Sequence, residues 1–385
     1  MTLKDSFHNL SDYIEREEYK GYDPYDILTS YIPFKQLGKW PSAIATQIQK
    51  RNPINVRPLL GIKKGINPKA FGLFLQTYSL IYQKTKEEKY LEKADYFFNW
   101  LNTNYSKGYA GKCWGYNFPW SSPAKYMDAY IPSAVVTGFV SKGLFEYYKI
   151  TENKQQVLEL MESACLFLDK DLEKVENPYG ISISYTPVKK DICYNASLLA
   201  AESFAKAYSL NGNLKYKELA IRAVNFVIET QHEDGRWNYS RALDSVKERV
   251  QIDFHQGYVL ESIFEIKNAL EIDNKSWETA LKKGVQFYIE NQFFPSGQSL
   301  WRLPKVFPTE IHNQSQGIIT FYKLKKYHPD ALQFAKVIAD WTTANMQAKD
   351  GHFYYQKFKT HTHKISYMRW SNAWMFQALS HIINP

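Results

Sequence analysis

Two histidines stand two positions after an acidic residue, in Asp253-Phe-His255 and Glu310-Ile-His312. Histidine alone among side chains titrates near neutrality without perturbation. A matched pair of imidazoles is therefore suited to removing or delivering a proton beside a carbonyl or carboxylate. The same acidic-x-polar pattern opens Asp128-Ala-Tyr130 and Asp191-Ile-Cys193, and a degenerate copy reads Met368-Arg369-Trp370. These motifs recur about every 60 residues, and self-similarity at a fixed period marks an array of supersecondary units.

The residues just after each motif indicate the element that must position it. Small residues come first, namely Ser133-Ala134, Ala196-Ser197, Gly257, Ser315 with Gly317, and Ala373. Apolar runs such as Leu198-Leu199-Ala200-Ala201 come next. That composition suits a crowded inner helix. A second helix then alternates faces: Tyr216, Leu219, Ala220, Ala223 and Phe226 keep helical spacing, with Lys217, Glu218 and Arg222 between them. The hairpins close on Gly-aromatic turns, clearest in Gln231-x-x-Asp234-Gly235-x-Trp237 and in Asp350-Gly351-His-Phe353.

Inner helices are expected to begin near Asn67, Asp128, Asp191, Asp253, Glu310 and Met368, and the chain ends before the last acquires an outer partner. The stripe Leu3, Phe7, Leu10, Ile14 supplies one from the N-terminus. The fold class is therefore all-α, an (α/α)6 toroid over residues 1–385 with short β-hairpin turns at one end. Residues 19–67, rich in Pro and Tyr, fit neither helix type and read as an irregular excursion, with Asp23 and Asp26 placed to cover the mouth.

Toroid geometry gathers the motif residues at one mouth of a funnel. Carboxylates there also serve as ordinary helix caps, but a cap needs no His, Tyr or Trp companion. For proton abstraction the candidates are His255 and His312, joined by Tyr239 and Arg369. For glycoside hydrolysis, which needs two carboxylates, the pair is Asp128 and Asp253. Trp114, Tyr116, Tyr130, Trp237, Tyr367 and Trp370 offer flat faces to sugar C–H groups, with Glu310 to bond hydroxyls. His361-Thr-His363 reads as exposed polar chain.

These residues carry a resemblance. The six-hairpin layout resembles the toroids of glycoside hydrolases, polysaccharide lyases and sugar epimerases. Gly21-Tyr-Asp23-Pro-Tyr-Asp26, Trp114-Gly-Tyr116-Asn117-Phe-Pro-Trp120 and Tyr367-Met-Arg369-Trp370 resemble segments of uncharacterised proteins from bacterial surface-polysaccharide gene clusters. The resemblance implies a carbohydrate-active enzyme of surface-polysaccharide metabolism, acting by lyase- or epimerase-like proton abstraction or by hydrolysis, without a cofactor. A second one competes. The Gln231 to Trp237 turn is similar to the repeat of prenyltransferases and terpenoid cyclases, and Asp191, Cys193 and His255 resemble a prenyltransferase zinc set. A non-catalytic glycan-binding or scaffold protein is the third reading.

Composition excludes other classes. The net charge of +9 is spread over pairs such as Lys63-Lys64 and Lys189-Lys190, which suit solvated helix faces. No basic stripe interleaved with aromatics points to nucleic acid, while an oligo- or polysaccharide, including an acidic one, is compatible. No apolar run reaches the length of a membrane span, and the N-terminal residues lack a signal-peptide core. The three cysteines are unclustered. The expected location is cytoplasmic.

Overall fold

The computed structural model describes residues 2–121 and 126–383. Five helical hairpins succeed one another: α4 (Pro68–Thr85) with α5 (Glu88–Thr103), α6 (Ala134–Tyr148) with α7 (Lys154–Lys170), α8 (Tyr194–Asn211) with α9 (Leu214–Ile228), α10 (His255–Ala269) with α11 (Lys275–Asn291), and α12 (Ile311–Lys323) with α13 (Ala331–Met346). The chain ends in α14 (Ala373–Ile382) and begins with α1 (Leu3–Arg16); α2 (Phe34–Leu37) and α3 (Lys39–Arg51) lie in the excursion between α1 and α4. The even-numbered helices from α4 to α14 form the inner ring, each touching its two neighbours, and α14 returns to α4. In α8, fourteen consecutive residues from Tyr194 to Ala207 are buried, as expected of a helix surrounded by others. The odd-numbered partners bury a single stripe, such as Val157, Leu160, Met161 and Ala164 in α7.

The ring closes as the sequence suggests. Helix α1 packs against α14, with Phe7 stacked on Phe376 at 4.8 Å between ring centroids. The turn glycines show why the repeat is so regular. A Cβ on Gly111, Gly180 or Gly235 would overlap a main-chain carbonyl of the next outer helix, that of Ser163, Arg222 or Lys283. Gly351 meets the carbonyl of Asn9 in α1 in the same way, so the N-terminal helix occupies the sixth outer position. Glutamine bridges the same joints: Gln231 Nε2 donates to the carbonyls of Gly235 and Ala280, and Gln347 Nε2 to those of Gly351 and Ser6. The Gln-x-x-Asp-Gly turn is thus a clamp between units.

The closure is open to a direct test. Gly351 also has φ of +102°, so Gly351→Ala combines a disfavoured backbone with a steric clash. The expected loss is about 2–4 kcal/mol of stability, read as a lower urea midpoint. An unchanged midpoint would mean that α1 does not seat on this turn.

Short strands crown the mouth. Ile192–Cys193 pairs with Ser240–Arg241, which pairs in turn with Glu248–Arg249; Thr309–Glu310 pairs with Tyr354–Lys357, and that with Thr362–Ser366. Two expectations are corrected. The excursion contains a regular helix, α3, whose Ser42, Ala43, Thr46 and Gln49 form the buried face. His363 is fully buried between Tyr355 and Tyr367, while its neighbour His361 is exposed.

Candidate functional site

The two histidines reach the mouth by the same route, His255 as the first residue of α10 and His312 as the second of α12. Their surroundings differ. Asp253 Oδ1 lies 2.5 Å from His255 Nδ1 and also accepts from the His255 amide at 3.2 Å. Asp253 is held on its other oxygen by Gln251 Nε2 at 2.9 Å and by Arg302 Nε at 3.2 Å. Burial alone would raise its proton affinity, but the facing His255 and Arg302 hold the carboxyl below the usual range. An ionised acceptor on Nδ1 fixes the tautomer, leaving Nε2 of neutral His255 as the basic nitrogen.

His312 is 1% exposed and pairs Nε2 with the Tyr258 hydroxyl at 2.5 Å. Burial, reinforced by Lys69, Arg369 and His255, pushes its pKa well below the ordinary value. It is therefore neutral around pH 7, accepting from Tyr258 and carrying its proton on Nδ1, an atom with no partner among the described residues. The Phe254 ring lies between the imidazoles, 4.2 Å from the centroid of each. The two histidines flank the phenyl ring.

Above them sits an aromatic and ionic layer. Trp370 packs on His312 at 4.7 Å and donates from Nε1 to Glu310 at 2.9 Å; Glu310 also accepts from Gln356 at 3.1 Å. Arg369 is buried and bidentate to Asp23 at 2.6 and 2.9 Å, and it covers the Tyr116, Phe118 and Trp370 rings. Asp23 belongs to the excursion, which also lays Tyr25 over Trp370 and anchors Asp26 on Arg57 at 2.8 Å. The excursion thus packs on the residues of this layer. Between it and the ring is a cavity of about 460 Å³, lined by Asp23, Asn67, Asn117, Phe118, Tyr130 and Arg369 among others. The histidines do not line it, whereas Arg369 and Asp23 do.

Several sequence candidates fall elsewhere. Asp128 is exposed and pairs with Lys35 at 2.7 Å, so it cannot join buried Asp253 as a hydrolytic pair. The acidic residues of the motifs do not form one ring. Trp114 and Trp237 are core residues, with Nε1 donating to the carbonyls of Leu101 and Val227, and present no free face. Tyr367 is wholly buried with Arg57 over its ring. Tyr239 stands edge-on to His255 at 4.7 Å, and burial raises its pKa well above the ordinary value. Burial likewise pushes the Cys193 thiol up to about 12, and its Sγ meets Asn195 Oδ1 at 3.2 Å. Asp191 accepts from the Tyr185 amide. Among the described residues no three His, Cys, Asp or Glu side chains converge to hold a metal ion, so Asp191, Cys193 and His255 do not assemble the alternative zinc set.

Sequence reasoning missed Tyr258, Trp374 and Lys69. Trp374 stacks on Tyr258 at 5.5 Å and approaches His312 at 4.6 Å. Lys69 was legible as a lone charge at the start of the apolar run Ala70 to Leu75.

Neither the family models nor the curated proteins match this sequence. Solved structures do match its fold. A cellobiose 2-epimerase from Bacillus thermoamylovorans superposes with a TM-score of 0.63 at 15% identity, covering 82% of this chain and 87% of that one. The GH76 α-mannanase of Bacteroides thetaiotaomicron gives 0.60 at 15%, over 82% and 85% of the two chains. An unsaturated glucuronyl hydrolase specific for heparin gives 0.64 at 13%, over 99% and 96%. This chain has the (α/α)6 toroid fold. The toroid places Phe254, His255, Glu310, His312 and Trp370 together at the start of consecutive inner helices.

Proposed function

We propose that this protein is a carbohydrate-active enzyme that binds an oligo- or polysaccharide in the toroid funnel and moves a proton on the sugar, as a lyase or epimerase does. The observation that carries the reading is the Asp253–His255 dyad set one phenyl ring away from neutral His312. His255 Nε2 is the base that removes a proton α to a carbonyl or carboxylate. His312 is an electrophile, its Nδ1–H donating to the oxygen on which negative charge develops. Tyr258 orients His312, and Trp370 supplies a flat face to the sugar ring. Support for the substrate class comes from the fold, which this chain shares with proteins named as epimerase, mannanase and glucuronyl hydrolase.

Proton abstraction is favoured over hydrolysis because the carboxylates near the histidines are engaged. Asp253 is held by Gln251 and Arg302, and Glu310 by Trp370 and Gln356. The role belongs to the metabolism of a cytoplasmically handled surface polysaccharide and needs no zinc. The deciding experiment incubates the protein with reducing saccharides and uronate-containing oligosaccharides in deuterated water. Deuterium gained at the carbon next to the carbonyl, or an unsaturated uronate product, supports the reading. Release of new reducing ends without exchange turns it to hydrolysis. Saccharide binding without turnover turns it to a glycan-binding protein. Metal analysis finding about one zinc per chain, lost in Cys193→Ala, would transfer the reading to a prenyltransferase-like toroid.

A further inference from the structure

Lys69 is the second residue of α4 and is 3% exposed. Its ammonium lies among rings of three other inner helices, 4.1 Å from the centroid of Phe139 on α6, 5.2 Å from Trp374 on α14 and 5.5 Å from Tyr258 on α10. It therefore sits near the axis of the toroid. The other buried cations each face a carboxylate: Arg57 has Asp26, Arg369 has Asp23, Lys142 has Glu202 and Glu261, and Lys206 has Glu202. The Lys69 ammonium makes no hydrogen bond or ion pair among the described residues.

A buried charge without a counter-ion is costly, and three aromatic faces offset only part of that cost. Two further buried donors near it also lack acceptors among the described residues, His312 Nδ1 and Trp374 Nε1. His312 packs on Trp374, and the Trp374 ring is one of the three around Lys69. One cation and two N–H groups without acceptors call for a ligand that brings negatively charged oxygen. The start of α4 borders the cavity beneath the excursion, because Asn67 both accepts from the Lys69 amide and lines that cavity.

We propose that Lys69 is the seat of an anionic group on the saccharide, a uronate carboxylate or an ester sulfate. The inference rests on the saccharide reading of the funnel and adds the charge of the substrate. Burial, aided by Arg369, pulls the lysine's pKa well down, so an arriving anion stabilises its charged form. The same anion offsets the positive neighbours that depress His312.

The test compares D-glucuronate, glucose 6-sulfate, D-glucose and inorganic sulfate by calorimetry, on the wild type and on Lys69→Met. Wild-type protein is expected to bind one or both charged sugars at least about tenfold more tightly than glucose, the scale of one charge-assisted hydrogen bond. Lys69→Met removes that preference and leaves glucose binding unchanged. Glucuronate alone names a carboxylate, and glucose 6-sulfate alone names a sulfate. Equal affinity for charged and neutral sugars in the wild type overturns the inference and leaves the saccharide reading standing. Lys69-dependent binding of sulfate with no sugar bound overturns the saccharide reading and leaves Lys69 the seat of an anion that is not part of a sugar. Binding of none of the four overturns both. The wild-type comparison decides the matter without the variant, and the His312 ring signals, expected to titrate higher with the charged sugar bound, check it independently.

Discussion

His255→Ala is expected to lower turnover of the saccharide substrate by about 10²–10⁴-fold, the usual loss when a positioned acid-base group is removed. The fold is expected to survive, because the His255 side chain remains 15% exposed and Asp253 keeps Gln251 and Arg302 as partners. Asp253→Asn tests the dyad more finely. It preserves shape but removes the anionic acceptor on Nδ1, so the wrong tautomer becomes accessible and kcat falls while substrate affinity holds. His312→Ala acts through a different property. That imidazole is kept neutral by burial and its cationic neighbours, so its loss removes a hydrogen-bond donor and leaves the Tyr258 hydroxyl without its acceptor. Rates measured by deuterium exchange separate the two roles: without His255 exchange falls by the same large factor as turnover, and without His312 it falls less. Exchange unaltered in His255→Ala would remove this residue from the chemistry.

The ring was legible because its determinants are local and repeated. Small residues at the inner-helix starts, amphipathic outer helices and Gly-aromatic turns are each demanded by the same contact at successive units, and the stripe Leu3, Phe7, Leu10, Ile14 had only one vacant position to fill. The site was legible only in part, because repeat equivalence fixes position along a helix and says little about burial. Asp128 and Asp253 hold corresponding places in sequence, yet α6 begins six residues after Asp128, at Ala134, and the intervening chain carries Asp128 outward to Lys35. Trp114 and Trp237 come just after turn glycines pressed against the next outer helix, which drives their rings into the core. The partner of Arg369 comes from Asp23, 346 residues away in sequence. Tyr258 and Trp374 lie inside apolar helices, where an aromatic residue looks like packing until its neighbours across the ring are known.

Glu261→Gln is expected to cost about 3–5 kcal/mol of stability, because it strands buried lysines. Deep in the funnel Glu261 accepts from Lys142 at 2.9 Å, Lys323 at 2.8 Å and Gln316 at 3.0 Å. Glu202 joins Lys142 and Lys206, and Glu265 reaches Lys323 at 2.8 Å. These three glutamates and three lysines alternate in sign across four inner helices, so removal of one carboxylate leaves an excess positive charge in a largely buried region. The pH dependence gives a second signature. Despite burial, which acts the other way, the lysines hold Glu261 well below the usual carboxylate range and bring Glu265 down to about 2. Depressed carboxyl pKa values stabilise the fold above about pH 4.3, and that contribution is lost as pH falls toward the folded-state values. The buried histidines act earlier. Burial lowers His363 to about 4 and His381 to about 3, so below about pH 6.5 the unfolded chain takes up protons that the folded one refuses, and stability already declines there. Urea midpoints tracked from pH 7 to pH 3 should therefore fall in two stages. In Glu261→Gln the whole curve lies lower, the histidine stage persists and the carboxylate stage shrinks. Midpoints equal to wild type at pH 7, with both stages intact, would mean that the charged layer contributes nothing to holding the inner helices together.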